Sequence, residues 1–170
     1  MLMRADELDD ALSATRLLDG RIKVWIHVAD PTSLIQPGSI VDSTPRFGSP
    51  WRSLGLDNGR EAMKRGTSIF LPTATYPMFP EKLAMEGMSL KQGELCNAVT
   101  VSVVLHSDGS IAECTVDNSI IKPTYMLTYE SASELLHLNL EEEVELKILS
   151  EAAALRLRWR RNQVWLNLIK

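Results

Sequence analysis

Hydrophobic and polar residues alternate along short stretches in the first part of the chain. One side of the stretch 21–28 (RIKVWIHV) is apolar, which is the period of two of a half-buried strand. Its apolar positions are Ile22, Val24, Ile26 and Val28. The turn signal Asp19-Gly20 predicts a preceding hairpin strand at 11–17. Pro31 ends the pair, because proline cannot donate to a strand ladder.

A second strand pair is predicted further along the chain. The stretch 99–105 (VTVSVVL) is rich in β-branched residues, which favour strands. Residues 107–110 (SDGS) are typical of a hairpin turn that leads into a strand at 111–117. Residues 119–123 are expected to pair next.

The period becomes helical after residue 130. Residues 131–134 (SASE) match a capping box at the start of a short helix, whose apolar side carries Leu135, Leu136 and Leu138. A longer helix is predicted at 140–161, acidic at its start and basic at its end, an order that suits the helix dipole. The predicted fold class is therefore α+β, with antiparallel strands followed by helices.

Residues 43–60 (STPRFGSPWRSLGLDNGR) interrupt this order. They are rich in Gly, Pro and Ser and follow neither periodicity, so they are interpreted as an irregular loop. A structureless stretch of that length inside a compact domain is unusual. It is therefore a lid, an insertion or a disordered segment.

Composition and charge narrow the class of protein. A chain of 170 residues suffices for one domain with a core. Its 45% hydrophobic and 24% charged residues argue against a disordered or fibrous protein. No apolar run approaches the roughly 18 residues that a membrane-spanning helix needs, so we expect no membrane association. The net charge of −4 gives no electrostatic indication of nucleic-acid binding.

The cysteines and the first residues bear on location. Cys96 and Cys114 lack CxxC spacing, and we expect two reduced, buried thiols in an intracellular protein. The opening MLMRADELDD becomes acidic at once, unlike a secretory signal or an Arg-rich transit peptide. We therefore expect any organelle address to lie upstream of this chain or to be absent.

An acidic cluster at residues 6–10 (DELDD) is the densest group of ionisable side chains. Closely spaced carboxylates repel one another, and a divalent cation can neutralise them. Hydrolysis of a phosphodiester by two metal ions needs such clusters. A short acidic run at a chain end is also typical of a solvated surface. The apolar Ala11-Leu12 that follow would seat the acids at a strand edge, which favours the metal site.

The stretch 7–32 (ELDDALSATRLLDGRIKVWIHVADPT) resembles the opening of the catalytic domain, or RNB domain, of the ribonuclease II/ribonuclease R family. There, Asp-x-Asp-Asp-Ala leads into a strand that ends in Ile/Val-Ala-Asp. Further similar segments follow in order: PGS at 37–39, RGTSIFLP at 65–72, YPMFPEKL at 76–83, SL at 89–90 and IKPTYMLTYE at 121–130. Several separated motifs in order are more specific than any one of them. The sequences of these motifs are most similar to those of plant organellar members.

The resemblance implies the N-terminal half of an RNB-type catalytic domain. Such enzymes hydrolyse single-stranded RNA processively from its 3′ end and release nucleoside 5′-monophosphates. In the family, four acids in the pattern Asp-x5-Asp-x-Asp-Asp hold Mg²⁺, for which Mn²⁺ can substitute. The last two carry over to Asp9 and Asp10, the expected catalytic and metal-binding residues. The second falls on Glu7, which is one methylene longer, and the first on Met1, which is no magnesium ligand.

The resemblance also implies two RNA contacts. Phe70 stands where the family has a tyrosine that stacks on the terminal nucleotide, and a core phenylalanine is the alternative. Tyr129 matches a tyrosine that contacts RNA, and a buried tyrosine with a satisfied hydroxyl is the alternative. His27 is interpreted as a packing residue rather than a base, and Asp30 as a residue that fixes the local turn.

The chain departs from the family at three places. Residues 43–60 are an insertion, the tail at 162–170 no longer follows the family, and the start falls inside the metal motif. A retained intron or a faulty gene model explains all three, whereas a genuine loop explains only the insertion. The resemblance also leads us to expect that the flanking RNA-binding domains and the second half of the catalytic domain lie outside this chain.

These departures set the expectation for function. We expect a magnesium-dependent 3′-to-5′ exoribonuclease by family that is weak or inactive as this chain alone. Its expected partner is single-stranded RNA, with no evident protein partner, in a plastid or mitochondrion. The alternative is a non-catalytic RNA-binding or regulatory protein with a degenerate metal site.

Overall fold

The computed structural model describes residues 10–33, 67–71, 75–76, 89–138, 140 and 143–163. Within these ranges the chain forms six strands, one short 3-10 turn at Pro31–Ser33 and two helices. The strands are β1 (Ala11–Arg16), β2 (Ile22–Ala29), β3 (Ile69–Phe70), β4 (Thr75–Tyr76), β5 (Cys96–Leu105) and β6 (Ile111–Ile121). The helices are α1 (Tyr129–Leu138) and α2 (Val144–Asn162). Neither helix combines the length and the apolar character that crossing a membrane requires.

The chain divides into two compact units. The first comprises Met1–Asp9 and Ala29–Leu90, and its described part contains the antiparallel pair β3–β4. The second comprises Asp10–Val28 and Lys91–Lys170, and it contains both helices. The α+β class predicted from the sequence is confirmed, since strands precede helices along the chain.

The larger sheet has four strands in the order β1-β2-β5-β6. β1 and β2 pair antiparallel from Ala11 opposite His27 to Arg16 opposite Ile22. β5 and β6 pair antiparallel from Cys96 opposite Ile121 to Leu105 opposite Ile111, with a register shift between Val104 and Leu105. β1 and β6 are therefore the two edges of the sheet. Both hairpins that the alternation predicted are present.

β6 is longer than the sequence predicted. The expected separate pairing of 119–123 is wrong, because residues 119–121 continue β6 itself. β5 begins at Cys96, three residues before the predicted start, and its first residues pair with residues 119–121. Ser119 lies opposite Ala98, and Ile120 lies opposite Asn97.

The core lies between α2 and the β1 side of the sheet. Its buried residues are Ala14, Ile22, Leu105, Ile148 and Ala152, with Val24, Val103, Leu149 and Leu155 packed against them. The buried helix positions Ile148 and Ala152 are four residues apart, which is the spacing of one helical face. α2 therefore covers one face of the sheet with an apolar stripe.

Polar contacts fix α2 along the edge strand β1. Glu145 Oε1 accepts a hydrogen bond of 3.0 Å from the backbone N–H of Ala14. Arg16 and Glu151 form an ion pair between exposed side chains. The first contact gives the outward-facing N–H of an edge strand a partner, which is one way in which a sheet edge is protected.

The β5–β6 turn also lies against α2. Arg156 Nη1 donates a hydrogen bond of 2.7 Å to the carbonyl oxygen of Gly109. Gly109 has φ +86°, and a Cβ added there would stand 2.4 Å from the carbonyl oxygen of Leu155. Both the left-handed backbone and the close approach therefore require glycine at this position.

The start of α1 corrects one prediction. The helix begins at Tyr129, and its capping pair is Thr128 with Ser131 rather than the predicted 131–134 box. Ser131 Oγ accepts from the Thr128 N–H at 2.8 Å, and Thr128 Oγ1 accepts from the Ser131 N–H at 3.2 Å. This reciprocal arrangement is the geometry of a capping box, shifted by one turn towards the N-terminus.

The second helix and the cysteines differ from prediction in smaller ways. α2 spans Val144–Asn162 instead of 140–161, and Glu143 at its N-cap makes no side-chain capping bond. Both cysteines are reduced thiols, as expected. The prediction that both are buried is wrong: Cys114 is exposed because it lies on the edge strand β6, and Cys96 is half-buried.

Candidate active site

Asp10 is the one predicted metal ligand that falls within the described residues. It directly precedes β1, whose first residue, Ala11, pairs with His27 of β2. Its side chain is exposed and has no hydrogen-bond or ion-pair partner in the described part of the chain. Glu7 and Asp9 lie outside the described residues. A carboxylate in this setting offers both oxygens to a hard cation such as Mg²⁺.

The described residues do not by themselves assemble a metal site. In the ranges given above, no three His, Cys, Asp or Glu side chains come together as metal ligands would. The predicted site needs Glu7 and Asp9 beside Asp10. An exposed, unpaired carboxylate at a strand end nevertheless suits the donor set expected of a magnesium site.

Asp30 fixes the chain where β2 ends. Its Oδ1 accepts hydrogen bonds from the Thr32 N–H at 2.9 Å and from Thr32 Oγ1 at 2.6 Å. Ser33 Oγ donates to the Asp30 carbonyl oxygen at 2.8 Å. The carboxylate is buried and occupied by this turn. The predicted role of Asp30 in the local turn is therefore confirmed.

His27 lies in a chain of hydrogen bonds that crosses the whole sheet. Its Nε2 is 2.9 Å from Ser13 Oγ, and its Nδ1 is 2.7 Å from Thr100 Oγ1. Thr100 Oγ1 is hydrogen-bonded to Ser119 Oγ, which donates to the Ala98 carbonyl oxygen at 3.2 Å. We call Ser13, His27, Thr100 and Ser119 the cross-sheet chain. It takes one residue from each of the four strands.

The environment of His27 favours its neutral form. Burial lowers the pKa of His27 below its ordinary value, and the negative charge of Glu145 opposes that shift. Because hydroxyl groups occupy both ring nitrogens, the imidazole is held in place. This agrees with a structural role for His27 rather than that of a free base. Sequence reasoning missed its hydroxyl partners, which lie up to 73 residues away.

The two predicted RNA-contact residues lie in different units. Tyr129 is the first residue of α1 and is 90% exposed, so the alternative of a buried tyrosine is wrong. Phe70 lies in β3, where it pairs with Thr75 of β4. No hydrogen bond among the described residues joins Asp10 to Tyr129. Contact of Phe70 and Tyr129 with RNA stays a prediction.

An exposed apolar segment precedes Tyr129, and sequence reasoning did not single it out. Tyr125, Met126 and Leu127 are 60%, 64% and 40% exposed. The segment lies between the end of β6 and the start of α1, where its residues belong to neither element. With Tyr129 it places two aromatic rings within five residues of the chain.

Comparisons with known proteins identify relatives over nearly the whole chain. The family model of the RNB domain matches residues 3–169. The chain is 72% identical over 159 residues to Ribonuclease II, chloroplastic/mitochondrial, of Arabidopsis thaliana, and the match covers 94% of this chain and 18% of that protein. It is 43% identical over 157 residues to an uncharacterized ribonuclease of Synechocystis, covering 92% of this chain and 21% of that protein. The chain therefore spans about a fifth of these relatives.

Solved structures give a similar picture. Yeast Ssd1, described as a pseudonuclease, is 26% identical with a TM-score of 0.64, over 86% of this chain and 16% of that one. RNase R of Mycoplasma genitalium in complex with ribose-methylated single-stranded RNA is 19% identical with a TM-score of 0.67. That match covers 91% of this chain and 22% of the other, and at this identity it shows the fold alone.

Proposed function

We propose a function from one premise: this chain belongs to the RNB domain family. It supplies the N-terminal part of the catalytic domain of a 3′-to-5′ exoribonuclease, which hydrolyses single-stranded RNA to nucleoside 5′-monophosphates. The observation that carries this proposal is the 72% identity to a ribonuclease II over 94% of the chain. Because the chain spans 18% of that relative, the activity is proposed for a protein of the relative's length, in which this segment is one part.

Asp9 and Asp10 are the proposed metal-binding and catalytic residues. Mg²⁺, or Mn²⁺ in its place, would be held by these two carboxylates, and Glu7 would contribute less well because its side chain is longer. Metal ions held there would supply charge that stabilises the attacking and leaving oxygens of a phosphodiester. Support from this chain is the exposed Asp10 carboxylate at the start of β1, which has no partner among the described residues.

Phe70 and Tyr129 are proposed to hold the RNA. An aromatic ring stacks on any base, so such contacts do not depend on the RNA sequence. They therefore suit an enzyme that degrades RNA without sequence specificity. The Tyr129 ring is 90% exposed and therefore accessible to a nucleotide. A solved RNase R with single-stranded RNA bound has the same fold, which supports RNA as the ligand.

A non-catalytic RNA-binding protein is the second candidate. Two observations favour it: Glu7 replaces an aspartate of the expected metal pattern, and Ssd1, 26% identical, is a pseudonuclease. In that case the protein would still bind RNA, but its metal site would have lost affinity for the metal ion.

We also propose that the protein works in a plastid or mitochondrion. The Arabidopsis relative is named for both organelles. A fluorescent fusion of the protein that contains this segment, expressed in plant cells, would report the compartment. Fluorescence outside both organelles would contradict the assignment.

A chimera tests the proposed activity. The segment of Arabidopsis ribonuclease II that matches this chain is exchanged for the chain itself and assayed on labelled single-stranded RNA with Mg²⁺. We expect nucleoside 5′-monophosphates, and a loss of rate of at least about a hundredfold for Asp10→Asn, since a metal ligand is removed. Asp117→Asn is the matched control, because Asp117 is also exposed but lies on β6. Equal rates for Asp10→Asn and the parent chimera would contradict the proposal.

The same chimera separates the two candidates. A non-catalytic protein predicts a chimera that binds RNA but releases no nucleotides, and a Glu7→Asp change that restores release. A chimera that is active with Glu7 in place excludes a degenerate metal site.

A further inference from the structure

The cross-sheet chain has a defined direction. Ser119 Oγ has one proton, which it donates to the Ala98 carbonyl oxygen. Thr100 must then donate to Ser119, and His27 Nδ1–H must donate to Thr100. His27 Nε2 is left as an acceptor for the Ser13 hydroxyl. Only this arrangement satisfies all four contacts with a neutral imidazole, so His27 carries its proton on Nδ1.

The free end of this chain, Ser13, lies on the strand that follows Asp10. Ser13 is three residues after Asp10, and Ala11 lies opposite His27 in the β1–β2 register. At about 3.4 Å per residue, Ser13 and Asp10 are roughly 10 Å apart along β1. Ser13 is the last side chain of the cross-sheet chain, and it belongs to the strand that begins next to Asp10.

β1 needs such a contact because it is an edge strand. Strand pairing holds it on one side, and Glu145 and Glu151 of α2 contact Ala14 and Arg16 further along. Those α2 contacts lie towards the far end of β1. Among the side-chain hydrogen bonds of β1 in the described residues, the Ser13–His27 bond is the one closest in sequence to Asp10.

We propose that Ser13 and His27 are positioning residues for Asp10, the proposed metal-binding carboxylate that precedes β1. The Ser13–His27 bond ties the first half of β1 to the central strand β2, so that Asp10 is presented in one place. Groups that orient a metal ligand without touching the metal raise the affinity for the metal, because the ligand loses less conformational freedom on binding. The inference rests on the proposed function and assigns it two further residues.

A second pair of hydroxyls on the same sheet provides an internal control. Ser102 Oγ and Thr115 Oγ1 are 2.8 Å apart and join β5 to β6. Ser102 is 8% exposed, and its hydroxyl bridges neighbouring strands as that of Ser13 does. This pair does not involve β1. Losing it should affect folding without affecting the metal site.

The test is a Mn²⁺ titration of the whole chain by calorimetry, with a melting curve for each variant. Ser13→Ala and His27→Asn are expected to weaken Mn²⁺ binding by roughly three- to tenfold. Asparagine places its amide near the position of His27 Nδ1, so it keeps the contact with Thr100 but loses the contact with Ser13. His27→Gln places it near Nε2, keeps the Ser13 contact, and should bind within about twofold of the wild type. Ser102→Ala should bind as the wild type while its Tm falls about as far as that of Ser13→Ala.

The outcomes separate this inference from the function on which it rests. It is overturned if Ser13→Ala and His27→Asn bind Mn²⁺ as tightly as the wild type, or if Ser102→Ala weakens binding equally. Asp10→Asn is the reference variant: if it does not weaken binding, the proposed metal site fails and the inference fails with it. If Asp10→Asn alone weakens binding, the site stands and only the positioning role is wrong. Nitrogen NMR of His27 should also show the proton on Nδ1, and a proton on Nε2 alone would contradict the deduced chain.

Discussion

The two edges of the four-stranded sheet are built differently. β1 is covered by α2, so that Ala14 is 7% exposed and its N–H is bonded to Glu145. β6 is bare along one side, where Val116 and Ile120 are 63% and 68% exposed. The protected edge is the one that begins next to Asp10. Of the two edges, α2 therefore packs against the one that follows the proposed metal ligand, which suits a site that needs precise geometry.

The turn at Gly109 should show the largest effect. Gly109→Ala adds a Cβ that would stand 2.4 Å from the Leu155 carbonyl oxygen, at φ +86°. We expect the free energy of unfolding to fall by about 4 kcal/mol, because alanine is strained in the left-handed backbone and its Cβ displaces α2. Gly20→Ala is the matched control, because Gly20 has φ +84° but nothing within 4 Å of the added Cβ. It should lose only about 1 kcal/mol. Urea unfolding measures both, and equal losses would show that the turn does not lie against α2.

The prediction for the core compares a buried isoleucine beneath α2 with an exposed isoleucine on β6. Ile148→Ala removes a side chain that is 8% exposed beneath α2, and we expect a loss of about 3 kcal/mol. Ile120→Ala removes one that is 68% exposed on β6 and should cost less than about 0.5 kcal/mol. Thermal unfolding of the two variants checks the difference. A cost at Ile120 as large as that at Ile148 would mean that β6 is covered after all.

The next effect concerns the contact that protects the β1 edge. Glu145→Ala leaves the Ala14 N–H without its carboxylate acceptor, and we expect a loss of about 1.5 kcal/mol. Glu145→Gln retains an oxygen that can accept the bond and should lose less than half as much. Amide hydrogen exchange at Ala14 should be faster in the alanine variant than in the glutamine variant. Identical exchange in both would refute the contact.

The smallest effect is a pH dependence from His27. Burial lowers its pKa in the folded chain, so the unfolded chain binds the proton more readily. The stability that the neutral imidazole contributes is therefore present above the unfolded pKa of about 6.5 and is lost as the pH falls towards the lowered folded value. Urea unfolding at a series of pH values should show a steeper loss on acidification for the wild type than for His27→Gln. Parallel profiles would contradict the assignment.

The elements with local signals were predictable from sequence. The alternation at β2 and the turns at Asp19-Gly20 and residues 107–110 placed both hairpins. The helix start was misplaced by one turn because Thr128, Ser131 and Ser133 can all act as caps. The choice among them depends on where the extended segment after β6 turns into the helix, which a local pattern does not encode.

The candidate site was only partly predictable for a related reason. The resemblance supplied Asp10 and Tyr129 by position, and the turn role of Asp30 followed from residues two apart. The cross-sheet chain could not be foreseen, since it depends on which strands are neighbours. β2 lies beside β5, and Thr100 of β5, which bonds to His27 of β2, is 73 residues away from it in sequence. Serine and threonine on strands carry no signal of that pairing.

Paramagnetic broadening by Mn²⁺ tests the central claim, that the start of β1 is the metal-binding end of this unit. A ¹⁵N-labelled chain is titrated with substoichiometric Mn²⁺, which broadens amide signals steeply with proximity. We predict that Asp10, Ala11 and Val28 broaden first, that Gly109 and Glu113 at the far end of the sheet broaden last, and that Asp10→Asn abolishes this order. Broadening that begins at Glu113, or that is unchanged by Asp10→Asn, would contradict the claim.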